Sequence, residues 1–225
     1  MVVVLIVALV LSAAIGVAYL QYRMKQARIA ALKSLAGRLG LSFSLGDPGD
    51  VLALPFSLLN AGDGRGVENF ITGQQEGRPL GCFDYWYCDE STDSKGRRSR
   101  TYHRFTCALL TMELSAPHLR LGHEGFFSRI GNALGIDDVE LEYEEFNREF
   151  RVKCDDQRFA FSLFDGQMME WLLTAPRFEV MEIGGSHALL AHRRLPPEEW
   201  PSLPALMEEL RAHIPHVVFT SYPGA

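Results

Sequence analysis

The chain has 225 residues, of which 47% are hydrophobic and 22% charged, and these globular proportions exclude collagen-like, coiled-coil, disulfide-scaffold and wholly disordered proteins. Residues 21–40 carry five basic side chains and no acidic one, whereas the rest of the chain holds 17 basic and all 28 acidic side chains, a formal charge of −11. A body of that sign repels phosphates, so we expect no nucleic-acid partner.

The first predicted element is a membrane span. Residues 2–20 read VVVLIVALVLSAAIGVAYL and contain no charged side chain. As a helix they would be about 28 Å long, which matches the hydrocarbon thickness of a bilayer. A cleaved signal peptide would need a basic region before a shorter apolar core. We therefore expect an uncleaved, single-pass signal-anchor that contacts the lipid bilayer through residues 2–20.

Basic and aromatic side chains lie at and just after this span. The predicted membrane-interface residues, which we call the collar, are Tyr19, Tyr22, Arg23, Lys25, Arg28 and Lys33. The two tyrosines would lie at the level of the headgroups, and the basic side chains would attract anionic lipid. Since positive flanks stay on the cytoplasmic side, the expected location is the cell membrane, with the N-terminus outside and the C-terminal domain in the cytoplasm.

A stripe of small residues recurs every four positions inside the span, at Ala8, Ser12 and Gly16. Such a stripe allows two helices to approach closely. Because these residue types are common in spans, the stripe is a weak indication of a homodimer.

The chain after the span divides into two further regions. Residues 21–40 form a basic juxtamembrane helix, whose apolar side includes Leu32, Leu35 and Leu39 and which ends at Gly40. Residues 41–225 form the cytoplasmic domain, and residues 1–20 are the transmembrane anchor. The span and the juxtamembrane helix are compatible with one continuous helix.

Hydrophobic periodicity predicts the elements of the domain. Strands are expected at 41–45, 67–73, 78–90, 102–114, 119–121, 138–143, 149–153, 178–182 and 188–192. Helices are expected at 50–54, 126–134, 157–164, 167–175 and 205–213. The last two strands would form a hairpin around Gly184-Gly185-Ser186. This succession predicts an α+β fold, with an N-terminal transmembrane helix followed by a mainly antiparallel β-sheet domain with packed helices.

Acidic residues alternate with apolar ones in one predicted strand, at Asp138, Glu140, Glu142 and Glu144. On a strand these four carboxylates share one face. We interpret the pattern as a solvated sheet face, the alternative being a surface for cations or a basic partner. A calcium loop needs a turning backbone, which a straight strand does not supply.

The predicted hairpin 78–114 carries three of the four cysteines and a basic tip. If it is centred between Ser94 and Lys95, Cys82 lies opposite Cys107 and Asp84 opposite Phe105. Residence in the cytoplasm predicts free thiols in any case. We interpret the tip, residues 95–100, as a soluble hairpin end, with contact to anionic lipid or an acidic partner as the alternative.

No established motif for chemistry is present: the chain lacks GxSxG, GxxxxGK[ST], HExxH and CxxC. The seven histidines are scattered along the chain. We therefore predict no catalytic residues, no cofactor and no metal site.

Several segments resemble a known family. They are Asn69–Gly73, Phe83–Tyr85, Asp138–Glu142, Glu145–Val152, Arg158–Ala160 and Met168–Leu173. The chain is similar along these segments to an uncharacterised family of bacterial proteins with one N-terminal membrane span and an α+β domain of unknown function. The resemblance implies a membrane-tethered protein and no particular activity.

Three functions remain open. The first is a non-enzymatic domain that binds or scaffolds an unknown protein partner at the inner membrane face. The second is a membrane-associated enzyme, a hydrolase or a thiol-dependent one, acting around Cys82, Asp84 and His103; it requires a thiol and an imidazole within hydrogen-bond reach in a polar pocket. The third is a sensor of a small ligand or lipid, which requires a sizeable apolar pocket.

Overall fold

One helix, α1 (Val2–Leu39), joins the predicted span to the predicted juxtamembrane helix without a break in the computed structural model, which describes residues 1–123, 125–126 and 138–224. It ends at Gly40, whose φ of 68° favours glycine. The apolar window of α1 has a mean hydropathy of 2.8, and none of it is buried against the domain. This window is therefore long and apolar enough to span a membrane, and it is not part of the domain core.

The elements after α1 form an α+β domain, as predicted. The strands are β1 (Ser42–Ser44), β2 (Gly64–Gln75), β3 (Arg78–Thr92), β4 (Arg98–Gly122), β5 (Arg151–Cys154) and β6 (Val180–Arg193). The helices are α2 (Glu144–Glu149), α3 (Gln157–Leu163), α4 (Gly166–Thr174), α5 (Leu203–His213) and α6 (His216–Ser221). Short 3₁₀ turns lie at Val51–Ala53, Leu58–Asn60 and Pro197–Ser202.

The six described strands form one antiparallel sheet. Its order is β1-β2-β3-β4-β5, and β6 pairs with the other side of β4. The central strand β4 is continuous through Gly122, so the separate strand predicted at 119–121 is its end. The C-terminal half of α1 and helices α2 to α6 pack on one face, and the turns at 51–60 pack on the other. The sheet therefore separates two cores.

The predicted register of the β3–β4 hairpin was wrong by one residue. Cys82 lies opposite Ala108, and Phe83 lies opposite Cys107. The hairpin tip contains an odd number of residues, from Asp93 to Arg97, because the Asp93 carboxylate accepts hydrogen bonds from the backbone of Lys95 and Arg97. The slip moves Cys107 to the opposite face of the sheet from Cys82.

The predicted acidic strand 138–143 was also wrong. Only Asp138 forms a β-bridge, with Lys153, and α2 begins at Glu144. The Asn147 side chain bonds both the N–H and the C=O of Leu141, which satisfies that backbone without a partner strand. The four carboxylates therefore do not share a strand face.

A third correction concerns residues 178–192. The expected hairpin is one strand, β6, which pairs with β4 from Gly122 back to Phe105. Gly185 has a φ of 55° and lies where the register shifts, so the glycines make a bulge rather than a turn.

The predicted helices in the second half are mostly confirmed. The carboxylate of Asp156 caps α3 and that of Asp165 caps α4. Ser202 does not cap α5, because its hydroxyl donates to Glu199 O. Helix α6 was not predicted. The helix expected at 126–134 lies outside the described residues except for Phe126.

All four cysteines are free and buried. We expect a thiol reagent to label the native protein slowly and to titrate four thiols in denaturant without reductant, because burial hinders access and no bridge is present. A count of two in denaturant would contradict this state and the predicted cytoplasmic location.

Candidate functional site: the junction of α1 with the sheet

A buried ion pair joins α1 to β3. Arg28 donates two hydrogen bonds to the Asp84 carboxylate, Nε to Oδ2 and Nη2 to Oδ1, each at 2.7 Å. The two side chains are only 12% and 5% exposed. The guanidinium also lies 5.8 Å from the ring centre of Trp200. This bidentate geometry holds one turn of the helix in one orientation on the sheet.

Other polar groups complete the surroundings of Asp84. Its carboxylate accepts a hydrogen bond from Asn69 Nδ2 at 2.8 Å and one from Thr106 Oγ1 at 3.3 Å, and Arg194 Nη2 lies 3.8 Å away. Asn69 occupies a bulge in β2 with a φ of 53°, a conformation that asparagine tolerates better than most residues. Two strands and two arginines therefore converge on one buried acid.

Apolar contacts continue the junction toward the C-terminal end of α1. Leu32, Leu35 and Ala36 are buried in the same core as Ile71 and Leu80. The second half of α1 is thus part of the domain core, although the sequence division assigned it to a separate juxtamembrane region. Helix α1 therefore runs without a break from the apolar window into the domain core.

The predicted interface residues divide into two groups. Lys25 and Arg28 have carboxylate partners in the domain, since Lys25 Nζ lies 2.9 Å from Glu68 Oε1. Tyr19 and Tyr22 are exposed, and Arg23 donates to Tyr19 Oη at 3.2 Å.

Lys33 is exposed as well, but the helical rise puts it about 20 Å beyond Leu20. For the collar as a whole, contact with the membrane interface stays a prediction.

The residues of the thiol hypothesis do not form a site. Burial raises the pKa of Cys82 to about 12, so its thiol stays protonated. Asp84 is bound to Arg28, and His103 lies on the opposite face of the sheet, stacked on Tyr87 and 3.1 Å from Asp89. The thiol of Cys82 and the imidazole of His103 are therefore not brought together.

A second buried acid lies on the opposite face of the sheet. Glu182 accepts hydrogen bonds from the N–H groups of Ser57 and Leu58, and its carboxylate lies 2.7 Å from His118 Nε2. Arg120, also buried, is its cross-strand neighbour, and burial lowers the pKa of that guanidinium. This cluster fixes the turn at Leu58–Asn60 against the sheet.

Four cavities of about 250–710 Å³ among the described residues all have charged side chains in their linings, which does not favour a lipid. A cavity of about 440 Å³ is lined by charged groups that include Arg148, Glu149 and Arg177. The apolar cavity beside α1, between Leu35 and Cys82, measures only about 50 Å³. No group of three or more potential metal ligands occurs in the described part of the chain.

Comparisons with known proteins bear on the fold. The sequence matches no protein-family model and no curated protein. A solved structure is similar, the crystal structure of the mycobacterial trehalose monomycolate transport factor A, TtfA, with a TM-score of 0.59 and 17% identity. The similarity covers 84% of this chain and 96% of that one. It shows a shared α+β fold in a bacterial protein, in agreement with the resemblance seen in the sequence.

Proposed function

We propose that this chain is a non-enzymatic, membrane-tethered domain that binds or scaffolds another protein at the inner face of the membrane. The observation that carries the proposal is the continuity of α1 from the apolar window into the domain core, where Arg28 is bound to Asp84. A simple tether needs only a flexible linker. A rigid connection presents the domain at one height and in one orientation, which favours a neighbouring membrane protein as the partner.

Two further observations support the location and the kind of partner. Five basic residues follow the span, and this favours a cytoplasmic domain. The similar solved structure belongs to a transport factor. We therefore propose that the partner belongs to a membrane transport assembly.

The test is photocrosslinking in intact membranes from two exposed positions, Gln167 and Glu198. We expect both positions to capture the same membrane protein. A flexible eight-residue Gly/Ser insertion between Leu20 and Gln21 should lower the yield several-fold, since it keeps the anchor and the domain but removes the rigid connection. The same insertion in the exposed turn between Glu76 and Gly77 is the matched control. The absence of any adduct, or an adduct whose yield is unchanged by the insertion after Leu20, would contradict the proposal.

A further inference from the structure

One part of the sheet extends beyond its neighbours. Residues 89–104, which we call the basic ribbon, comprise the distal ends of β3 and β4 and the tip between them. Pairing of β3 with β2 ends at Cys88, and pairing of β4 with β6 ends at Phe105. Four residue pairs, from Asp89–Thr101 to Thr92–Arg98, continue without a third strand from the described part of the chain. A two-stranded ribbon has little stability of its own, so this projection needs a reason beyond folding.

The contacts of α1 give the direction in which the ribbon projects. Along α1, Arg28 contacts Asp84 and, further toward the C-terminal end, Leu35 and Leu39 lie beside Leu80. The helix therefore runs antiparallel to β3. Moving from Arg28 toward the span corresponds to moving from Asp84 toward the tip of the ribbon.

The ribbon is long enough to reach the membrane surface. From Arg28 back to Leu20 the helix rises by about 12 Å. From Asp84 to Thr92 strand β3 extends by about 26 Å. The end of β3 therefore reaches the level of Leu20 at any inclination to α1 of up to about 60°.

The side chains of the ribbon suit an anionic surface. Arg97 pairs with Asp93 and Arg100 with Glu90. Lys95, Arg98 and Arg104 are exposed, and the described residues offer no carboxylate within ion-pair distance of any of them. Near their base, Tyr102 is 48% exposed and packs on Trp86, with ring centres 5.6 Å apart. Surplus positive charge beside an exposed aromatic ring is the composition that binds lipid headgroups.

We infer that the basic ribbon is a second membrane contact, through which Lys95, Arg98 and Arg104 bind the headgroups of anionic phospholipids. Two basic residues of the collar, Lys25 and Arg28, are already paired with carboxylates of the domain and are not available to lipid headgroups. This supports the assignment of headgroup contacts to the ribbon. Anchor and ribbon would then hold the domain at two points and limit its rotation about α1. The inference uses the tether of the proposed function but not its protein partner.

The test uses the full chain in nanodiscs of neutral phosphatidylcholine, with or without 30% phosphatidylglycerol. A spin label is attached at Ser94→Cys in the tip, while the four native thiols are buried. Co-elution with the nanodiscs checks the tether separately. We expect anionic lipid to lower the accessibility of the spin label to a water-soluble nickel relaxation agent by about fivefold or more. We expect 1 M salt to reverse most of this change.

Charge variants decide the outcome. The triple variant Lys95→Gln, Arg98→Gln, Arg104→Gln should lose the protection. The matched variant Arg148→Gln, Arg158→Gln, Arg177→Gln, which removes equal charge at exposed positions outside the ribbon, should keep it. A label at Gln167→Cys should be insensitive to lipid. Equal accessibility in both lipids, or protection that survives the triple variant, would overturn the inference.

Discussion

Replacing Asp84 by alanine should lower the free energy of unfolding of the domain by about 3–5 kcal/mol. The substitution leaves the guanidinium of Arg28 buried without its carboxylate, and Arg194 loses the same neighbour. It also removes the acceptor for Asn69, whose backbone is held at a φ of 53°. Urea unfolding of the full chain in detergent, followed by tryptophan fluorescence, measures the loss, since Trp200 lies against Arg28.

Two variants make this result specific. Glu68→Gln breaks the exposed pair with Lys25 on the same helix and should cost no more than about 1 kcal/mol. The double variant Arg28→Met, Asp84→Leu removes both charges and should recover part of the stability lost in Asp84→Ala, because the guanidinium of Arg28 is no longer buried without its carboxylate. If Asp84→Ala and Glu68→Gln cost the same, the ion pair does not hold α1 to the sheet.

Replacing Glu182 by alanine should have a similar effect on the opposite face, also about 3–5 kcal/mol. The variant removes the acceptor of two backbone N–H groups at Ser57 and Leu58 and the carboxylate beside Arg120. We further expect the amides of residues 57–60 to exchange with solvent faster than in the wild type, since their turn loses its attachment to β6.

The control is Glu179→Gln, which removes a carboxylate paired with the exposed Arg193 and should cost less than about 1 kcal/mol. Both are measured by urea unfolding, and hydrogen exchange then locates the change. Unchanged exchange at 57–60 in Glu182→Ala would show that this carboxylate does not fix the turn.

The sequence predicts helix α1 and its buried side well. The uncharged run 2–20 and the apolar stripe at Leu32 and Leu35 obey local periodicities, and they predict the helix and its buried side. The strand pattern around β3 likewise placed Asp84 among apolar residues, which was the available signal of a buried acid. Its partner could not be predicted, because Arg28 lies 56 residues away and was interpreted with the collar.

The three wrong predictions of strand register and strand bounds have local physical causes, which hydrophobic periodicity does not report. The odd-numbered tip fixed by Asp93 shifted the hairpin register, and the bulge at Gly185 imitated a turn. The acidic alternation after Asp138 has the period of a strand. In the structure the Asn147 side chain instead bonds the backbone of Leu141, so that segment needs no partner strand. In each case one side chain or one glycine decided the backbone path.

Hydrogen exchange of the full chain in nanodiscs tests most directly whether the membrane helix and the sheet domain are one rigid unit. Amides of residues 28–36 lie outside the predicted span, so lipid alone would not protect them. We predict that they exchange as slowly as those of the central strand β4, with an opening free energy close to that of global unfolding. Exchange orders of magnitude faster than in β4 would mean that α1 opens independently, and it would contradict the proposed rigid presentation of the domain at the membrane.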